Sequence, residues 1–272
     1  MILGVSWQLA LELLVLGLAT GFMAGLLGIG GGMIMVPFMI WLLTTQGVPG
    51  EYIVKMAIAT SLATICFTSI SSVRSHHKRG AVRWDVVWLL APGIVLGSFL
   101  GAQLAKLLPA QALALMFAAF VSFSGTQMLL DRKPKPTRQL PGTPGMLGAG
   151  AGIGTLSALV GAGGGFISVP FMTWCNVTIH NAVATSAALG FPIALAGTLG
   201  YIWAGWSLQG MPEGTLGFIY LPALLLIAIA SVLTAPLGAR AAHRLNVRQL
   251  KRAFALLLYG LAAYMLYKGL TA

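Results

Sequence analysis

The sequence predicts an all-α polytopic membrane protein made of two inverted-topology repeats, each of about five helical segments with a glycine-broken short helix. Three observations carry that expectation: a composition short of charge, a duplicated glycine motif, and basic loops that change place between the halves. Of 272 residues, 58% are hydrophobic and only 8% are charged, and the mean hydropathy is +0.90. A soluble domain carries about 25% charged residues, so this chain cannot cover a surface in water with charge. Stretches 9–27, 57–70, 86–103, 112–130, 182–203, 216–237 and 253–267 are almost free of charge. A helix crossing the bilayer core needs roughly 20 such residues. A β-barrel would show short alternating segments instead.

The second observation is a duplication. LLGIGGGMIMVPFM fills Leu26–Met39, and LVGAGGGFISVPFM fills Leu159–Met172, 133 residues later. AIATSLA from Ala57 returns as AVATSAA from Ala182. Leu100, Gly101, Ala102, Ala105 and Phe117 return as Leu237, Gly238, Ala239, Ala242 and Phe254, in the same order. Between the copies lies DRKPKPTRQLPGTPG, a segment rich in Pro and charge that reads as exposed and non-helical. The expected division is a first membrane repeat over 1–130, a cytoplasmic linker over 131–144 and a second repeat over 145–272. The helical segments fall near 8–28, 33–45, 52–73, 84–107 and 111–130, then near 145–160, 166–176, 180–203, 216–243 and 248–270. The second of each set is short: thirteen residues span about 20 Å, less than a full crossing. Each glycine turn therefore joins a longer helix to a short one, as a re-entrant hairpin or as a broken crossing helix.

The third observation is charge placement. The net charge is +11, and thirteen of the sixteen Lys and Arg residues lie within 74–83, 131–144 and 240–252. Such clustering sets membrane orientation and is no signal for nucleic acid; all three stretches are expected on the cytoplasmic face. The loop after the third segment is basic in the first half, but reads AGWSLQGMPEGT in the second. The loop after the fourth segment reverses this, from KLLPA to a basic stretch. Equivalent loops thus lie on opposite sides, the pattern of inverted repeats in secondary transporters. Both termini then face outward from the cell (inner) membrane. The first fourteen residues hold no Lys or Arg, so they lack a signal-peptide n-region and are expected to remain as the first helix.

The glycine turns do not read as nucleotide motifs. Met33 replaces the last glycine of GxGxxG, and no GK[ST] occurs. In a membrane, unwound backbone is tolerated where protein or a polar cavity satisfies it. Pro37 and Pro170 follow the two turns, and proline suits the first turn of a helix, so the short helices are expected to start near Val36 and Val169. Their free amides and positive dipole ends would then face the turns, a prospective anion site. Gly30, Gly31 and Gly32 with Gly163, Gly164 and Gly165 are the candidate substrate path. Gly21, Gly25, Gly101 and Gly238 read as close helix packing. Thr60-Ser61 and Thr185-Ser186 form a second duplicated element, able either to donate to a bound oxyanion or to bond back to their own helices. Lys55 and His180, five residues before each threonine, are helix-end positions and candidate gates; Glu51 and Lys55 can also pair at i, i+4.

The five acids are Glu12, Glu51, Asp85, Asp131 and Glu213, and only Glu12 falls within one of the apolar stretches. That argues against a cation site built on buried carboxylates. No metal-ligand spacing appears, no cofactor is implied, and Cys66 and Cys175 read as buried packing residues. The scattered His76, His77, His180 and His243 disfavour a membrane-embedded enzyme. The expected partners are a small-molecule anion and the lipid bilayer, with oligomeric state left open.

This organisation resembles the sulfite exporter TauE/SafE family over nearly the whole chain. The residues that carry it are the GxGGG-x3-P turn in each half, then Ala59-Thr60-Ser61-Leu62, Thr68-Ser69, Ser72, His76, Gly80 and Trp84. The second half keeps Thr185-Ser186 but has Ala187 where the first has Leu62. The resemblance implies a permease for small sulfur-containing anions such as sulfite, sulfoacetate or related organosulfonates. Alternating access at the glycine turns is the expected mechanism; the alternative is a passive anion channel.

Overall fold

The computed structural model describes residues 6–27, 31–130, 138–208, 210–242 and 247–271. Among them are ten helices: α1 (Trp7–Leu27), α2 (Gly32–Thr45), α3 (Gly50–His77), α4 (Trp84–Leu107), α5 (Ala110–Leu130), α6 (Thr143–Val160), α7 (Gly165–Trp174), α8 (Ile179–Gly205), α9 (Leu221–Ala242) and α10 (Val247–Thr271). Eight are long and apolar enough to cross a bilayer; α2 and α7, with 14 and 10 residues, are the short ones. The linker residues 131–137 and loop residues 243–246 lie outside the described residues. The protein is a polytopic, multi-pass helical membrane protein.

Nine of the ten expected segments begin within two residues of the observed helices. The exception is α9, expected from residue 216 but starting at Leu221. The preceding residues form a small antiparallel pair, β1 (Thr215–Leu216) and β2 (Ile219–Tyr220), closed by Leu221 N–H donating to Gly214 C=O at 3.0 Å. Gly217, at φ +57°, crosses so near Ile202 of α8 that a Cβ would sit 2.6 Å from its Cα. Phe218 then packs its ring between Tyr52 and Tyr201, with centroids 6.3 and 6.1 Å away. An apolar run cannot be told from a helix by periodicity alone, and this tight turn is what ends the resemblance to one.

Helix pairing interleaves the two halves. α1 lies along α9 and α6 along α4, so the first and fourth helices of opposite halves pair. Both pairs run in parallel: Gly17 meets Ile227 and Ala230 while Gly21 meets Ser231 and Thr234, and Gly93 meets Leu147 while Gly101 meets Thr155 and Ala158. Small residues let these backbones approach closely. A Cβ on Gly97 would collide with the Ala151 carbonyl, and Thr155 Oγ1 donates to Gly97 C=O across the seam at 3.1 Å. α4 and α8 are also parallel, since Arg83 meets Thr185 and Gln103 meets Gly200.

α3 and α8 run antiparallel, because Leu62 meets Gly197 while Ser69 approaches Gly190. α5 and α10 do the same: Gly125 lies against Ala255 and Leu258, and Gly269 against Leu115. These directions gather the C-terminal ends of α3 and α5 with the N-terminal ends of α4, α6, α8 and α10. The three basic stretches therefore flank helix ends at one end of the bundle. All seven tryptophans are exposed and lie at or near helix ends, the placement of aromatic belts at a membrane interface.

Candidate functional site at the glycine turns

α2 starts at Gly32, with Gly31 as N-cap, and α7 starts at Gly165, with Gly164 as N-cap. Pro37 and Pro170 therefore stand inside the helices, which agrees with the expected bounds 33–45 and 166–176 but corrects the expectation that the prolines mark the starts. Only the first four amides of a helix lack an acceptor; by the sixth residue a proline removes a bond and crowds the carbonyl four residues back. The helices nevertheless begin earlier, because the cap carbonyls are at hand. Gly31 C=O accepts from Ile34 and Met35 at 3.2 and 3.1 Å, and Gly164 C=O from Ile167 and Ser168 at 3.0 and 2.9 Å. In an apolar setting each amide bonded this way avoids a burial penalty. Both amino ends thus lie on the glycines themselves.

The two turns meet. A Cβ on Gly32 would overlap the Gly161 carbonyl oxygen and stand 2.9 Å from Ser61 Oγ. Ser61 Oγ donates to that same Gly161 carbonyl at 2.9 Å, joining α3 of the first half to the turn of the second. The second turn then runs past the middle of both long helices. Gly161 faces Ile58 of α3, Gly163 faces Ile65, and Gly164 is pressed by Ile193 of α8. Gly161 and Gly164 have φ of +67° and +76°, a region that side chains make costly. Gly30, one of the predicted path residues, lies outside the described residues, while Gly31 is half-buried and Gly32 buried.

The duplicated Thr-Ser pairs take equivalent posts. Thr60 Oγ1 accepts the Tyr220 N–H at 3.1 Å, just before α9. Thr185 Oγ1 accepts the Arg83 N–H at 3.0 Å, just before α4. Each threonine thus holds the entry of the other half's fourth helix, using a lone pair and keeping its own hydrogen to donate. Arg83 also bonds Asp85, through Nε–H to Oδ1 at 2.8 Å, and this partner raises the guanidinium pKa above its ordinary value. Burial pushes the Tyr220 phenol up.

Ser186 does not copy Ser61. Its hydroxyl lies 2.7 Å from Ser168 Oγ, which in turn donates to Gly164 C=O at 3.0 Å. Ser168 was not singled out by sequence reasoning. The signal was a difference between the copies, since its counterpart in the first motif is Met35.

Lys55 and His180 stand apart from the turns. Lys55 Nζ–H donates to Lys106 C=O at 3.0 Å, at the carboxyl end of α4. His180 is exposed at the start of α8.

Comparison with known proteins identifies the family. The model of the sulfite exporter TauE/SafE family matches residues 13–265. The chain belongs to that family. It is similar to a "Probable membrane transporter protein" of Haemophilus influenzae, 39% identical over 94% of this chain and 97% of that protein. A "Probable membrane transporter protein" of Methanocaldococcus jannaschii is 25% identical over 93% of this chain and 94% of its own length. The Bacillus subtilis protein YdhB, similarly described, is 31% identical over 68% of this chain and 76% of its own. No solved structure matches. This member of the TauE/SafE family is a membrane transporter.

Proposed function

We propose that this TauE/SafE protein carries a small sulfur-containing anion, such as sulfite, sulfoacetate or a related organosulfonate, by alternating access. The observation that carries the reading is the meeting of the two turns: Gly32, which opens α2, lies against the Gly161 carbonyl that precedes α7. The amino end of α2 therefore abuts the turn that leads into α7, and an anion held between them would meet neutral amides without a buried cation. The proposed site is Gly30 to Gly32, Gly163 to Gly165, Thr60-Ser61 and Thr185-Ser186.

The halves are proposed as inverted repeats over 1–130 and 145–272. The antiparallel runs of α3 with α8 and of α5 with α10 support this, because the duplication makes the members of each pair equivalent. α1 beside α9 and α6 beside α4 are likewise one contact repeated under exchange of the halves. The basic end is proposed as cytoplasmic and both termini as external in the cell membrane. Lys55 and His180 then lie at opposite mouths, as outer and inner gates, and the halves rock about the turns.

The test is flux in proteoliposomes across sulfite, thiosulfate, sulfate and an organosulfonate, with and without a pH gradient. Saturable uptake with counterflow of labelled sulfite is the expected result. Large unitary anion conductance without counterflow would replace the carrier by a channel, and no flux of any anion would end the reading.

A further inference from the structure

We infer that the anion seat is asymmetric, lying at the second turn, with the Ser157 hydroxyl as a ligand alongside the Gly165 and Phe166 amides. This deepens the proposed function and rests on it.

Donors without acceptors mark the place. The Gly165 and Phe166 N–H groups open α7, and neither donates to any group among the described residues. Ser157, near the end of α6, is fully buried, and its Oγ has no hydrogen-bond partner among the described residues. That oxygen stands 3.2 Å from where a side chain on Gly164 would begin, so it points at the cap of α7. A buried hydroxyl normally finds a partner. Ser157 is one turn before the helix end, and its own carbonyl is already engaged by the Gly161 and Ala162 amides. Its hydroxyl hydrogen is left over.

The neighbouring hydroxyls set the polarity. Ser168 and Ser186 bond each other, and Ser168 donates to Gly164 C=O. With Ser168 so engaged, Ser186 supplies the hydrogen between the pair, and neither proton remains for a ligand. Ser157 and the two amides are then among the free donors beside the cap of α7, and all three are neutral. An oxyanion is the ligand that accepts from several donors at once and is favoured at a helix amino end.

The first turn has no equivalent set. Ser157 corresponds to Ala24, and Ser168 to Met35, which is buried against the core. The glycines recur there in sequence, but the hydroxyls do not, and the cap glycine Gly31 is right-handed at φ −75° where Gly164 is left-handed at +76°. The first turn closes on the second through Gly32, Gly161 and Ser61, and so braces the seat.

The experiment measures the concentration dependence of labelled sulfite uptake in proteoliposomes for wild type, Ser157→Ala and Ser98→Ala, with a melting curve of each purified protein. Ser98 is the control: its Oγ is also buried without a partner, but it sits on α4, facing Gly154. Ser157→Ala is expected to raise the half-saturating sulfite concentration about tenfold or more, as loss of a hydrogen bond to a charged ligand does. Its melting temperature and membrane level should match wild type, and Ser98→Ala should match in every measure. Unchanged kinetics in Ser157→Ala, with wild type active, would overturn the seat and leave the anion carrier standing. An equal loss in Ser98→Ala, or a Ser157→Ala protein that does not fold, would overturn it too by assigning the effect to packing. Absence of flux in wild type for every anion of the panel would remove both.

Discussion

Replacing Gly161 and Gly163 by alanine, one at a time, separates the architecture of the second turn from its chemistry. Gly161 has φ +67°, and a Cβ there would stand 3.0 Å from Val36 Cγ2 and 3.2 Å from Ile58 Cα. The left-handed conformation costs an alanine roughly 1–2 kcal/mol, and forcing a methyl into packed surroundings adds about 1–3 kcal/mol. The Ile58 contact is backbone of a long helix, so little of this can relax. Gly161→Ala should lose about 2–5 kcal/mol, which at roughly 2–4 °C per kcal/mol lowers the melting temperature on the order of 10 °C. Gly163 differs by two residues only. Its Cβ would meet Ile65 Cγ2 at 3.7 Å, an ordinary contact, and its φ is not in the left-handed range. Gly163→Ala should therefore melt within about 2 °C of wild type, while its sulfite transport falls because the methyl stands in the proposed path. The assay is a thermal melt in detergent paired with proteoliposome flux. Equal melting temperatures for the two variants would refute the turn geometry, and full flux in Gly163→Ala would take Gly163 out of the path.

Gly32→Ala should destabilise by about 1–3 kcal/mol, because its methyl meets the Gly161 carbonyl and displaces the Ser61 bond; a melt at the wild-type temperature would show that the turns do not touch. Thr60→Val and Thr185→Val each strip the acceptor from a backbone amide, of Tyr220 and Arg83 respectively. Each should cost about 1–3 kcal/mol, with Thr→Ser restoring most of it; a valine as stable as serine would contradict those bonds. In a protein with Cys66 and Cys175 replaced by alanine, Arg79→Cys should react with an impermeant thiol reagent only from the cytoplasmic side and Gly210→Cys only from outside. Labelling of both from one side would end the inverted arrangement.

Much of the bundle was readable from the chain because a bilayer imposes its own grammar. Long uncharged runs, a Pro-rich linker and clustered Lys and Arg mark helices and their breaks before any contact is known. The start of α9 was not readable, since LGFIYL is as apolar as a helix and only the crossing of Gly217 over Ile202 shows that it turns. Proline misled in the motif itself. Its preference for first turns is a statistical habit, and the carbonyls of Gly31 and Gly164 begin each helix before Pro37 and Pro170 are reached.

The sequence by itself determined that this is a membrane-embedded transporter of the TauE/SafE family with two glycine turns, because composition and motif identity are local properties of the chain. Which groups those turns face was decided only by tertiary structure. Thr60 accepts from Tyr220, Ser61 donates to Gly161, and Ser157 lies beside Gly164. Such pairings depend on how helices from distant parts of the chain cross, and an apolar helix carries no written record of which face a neighbour will cover.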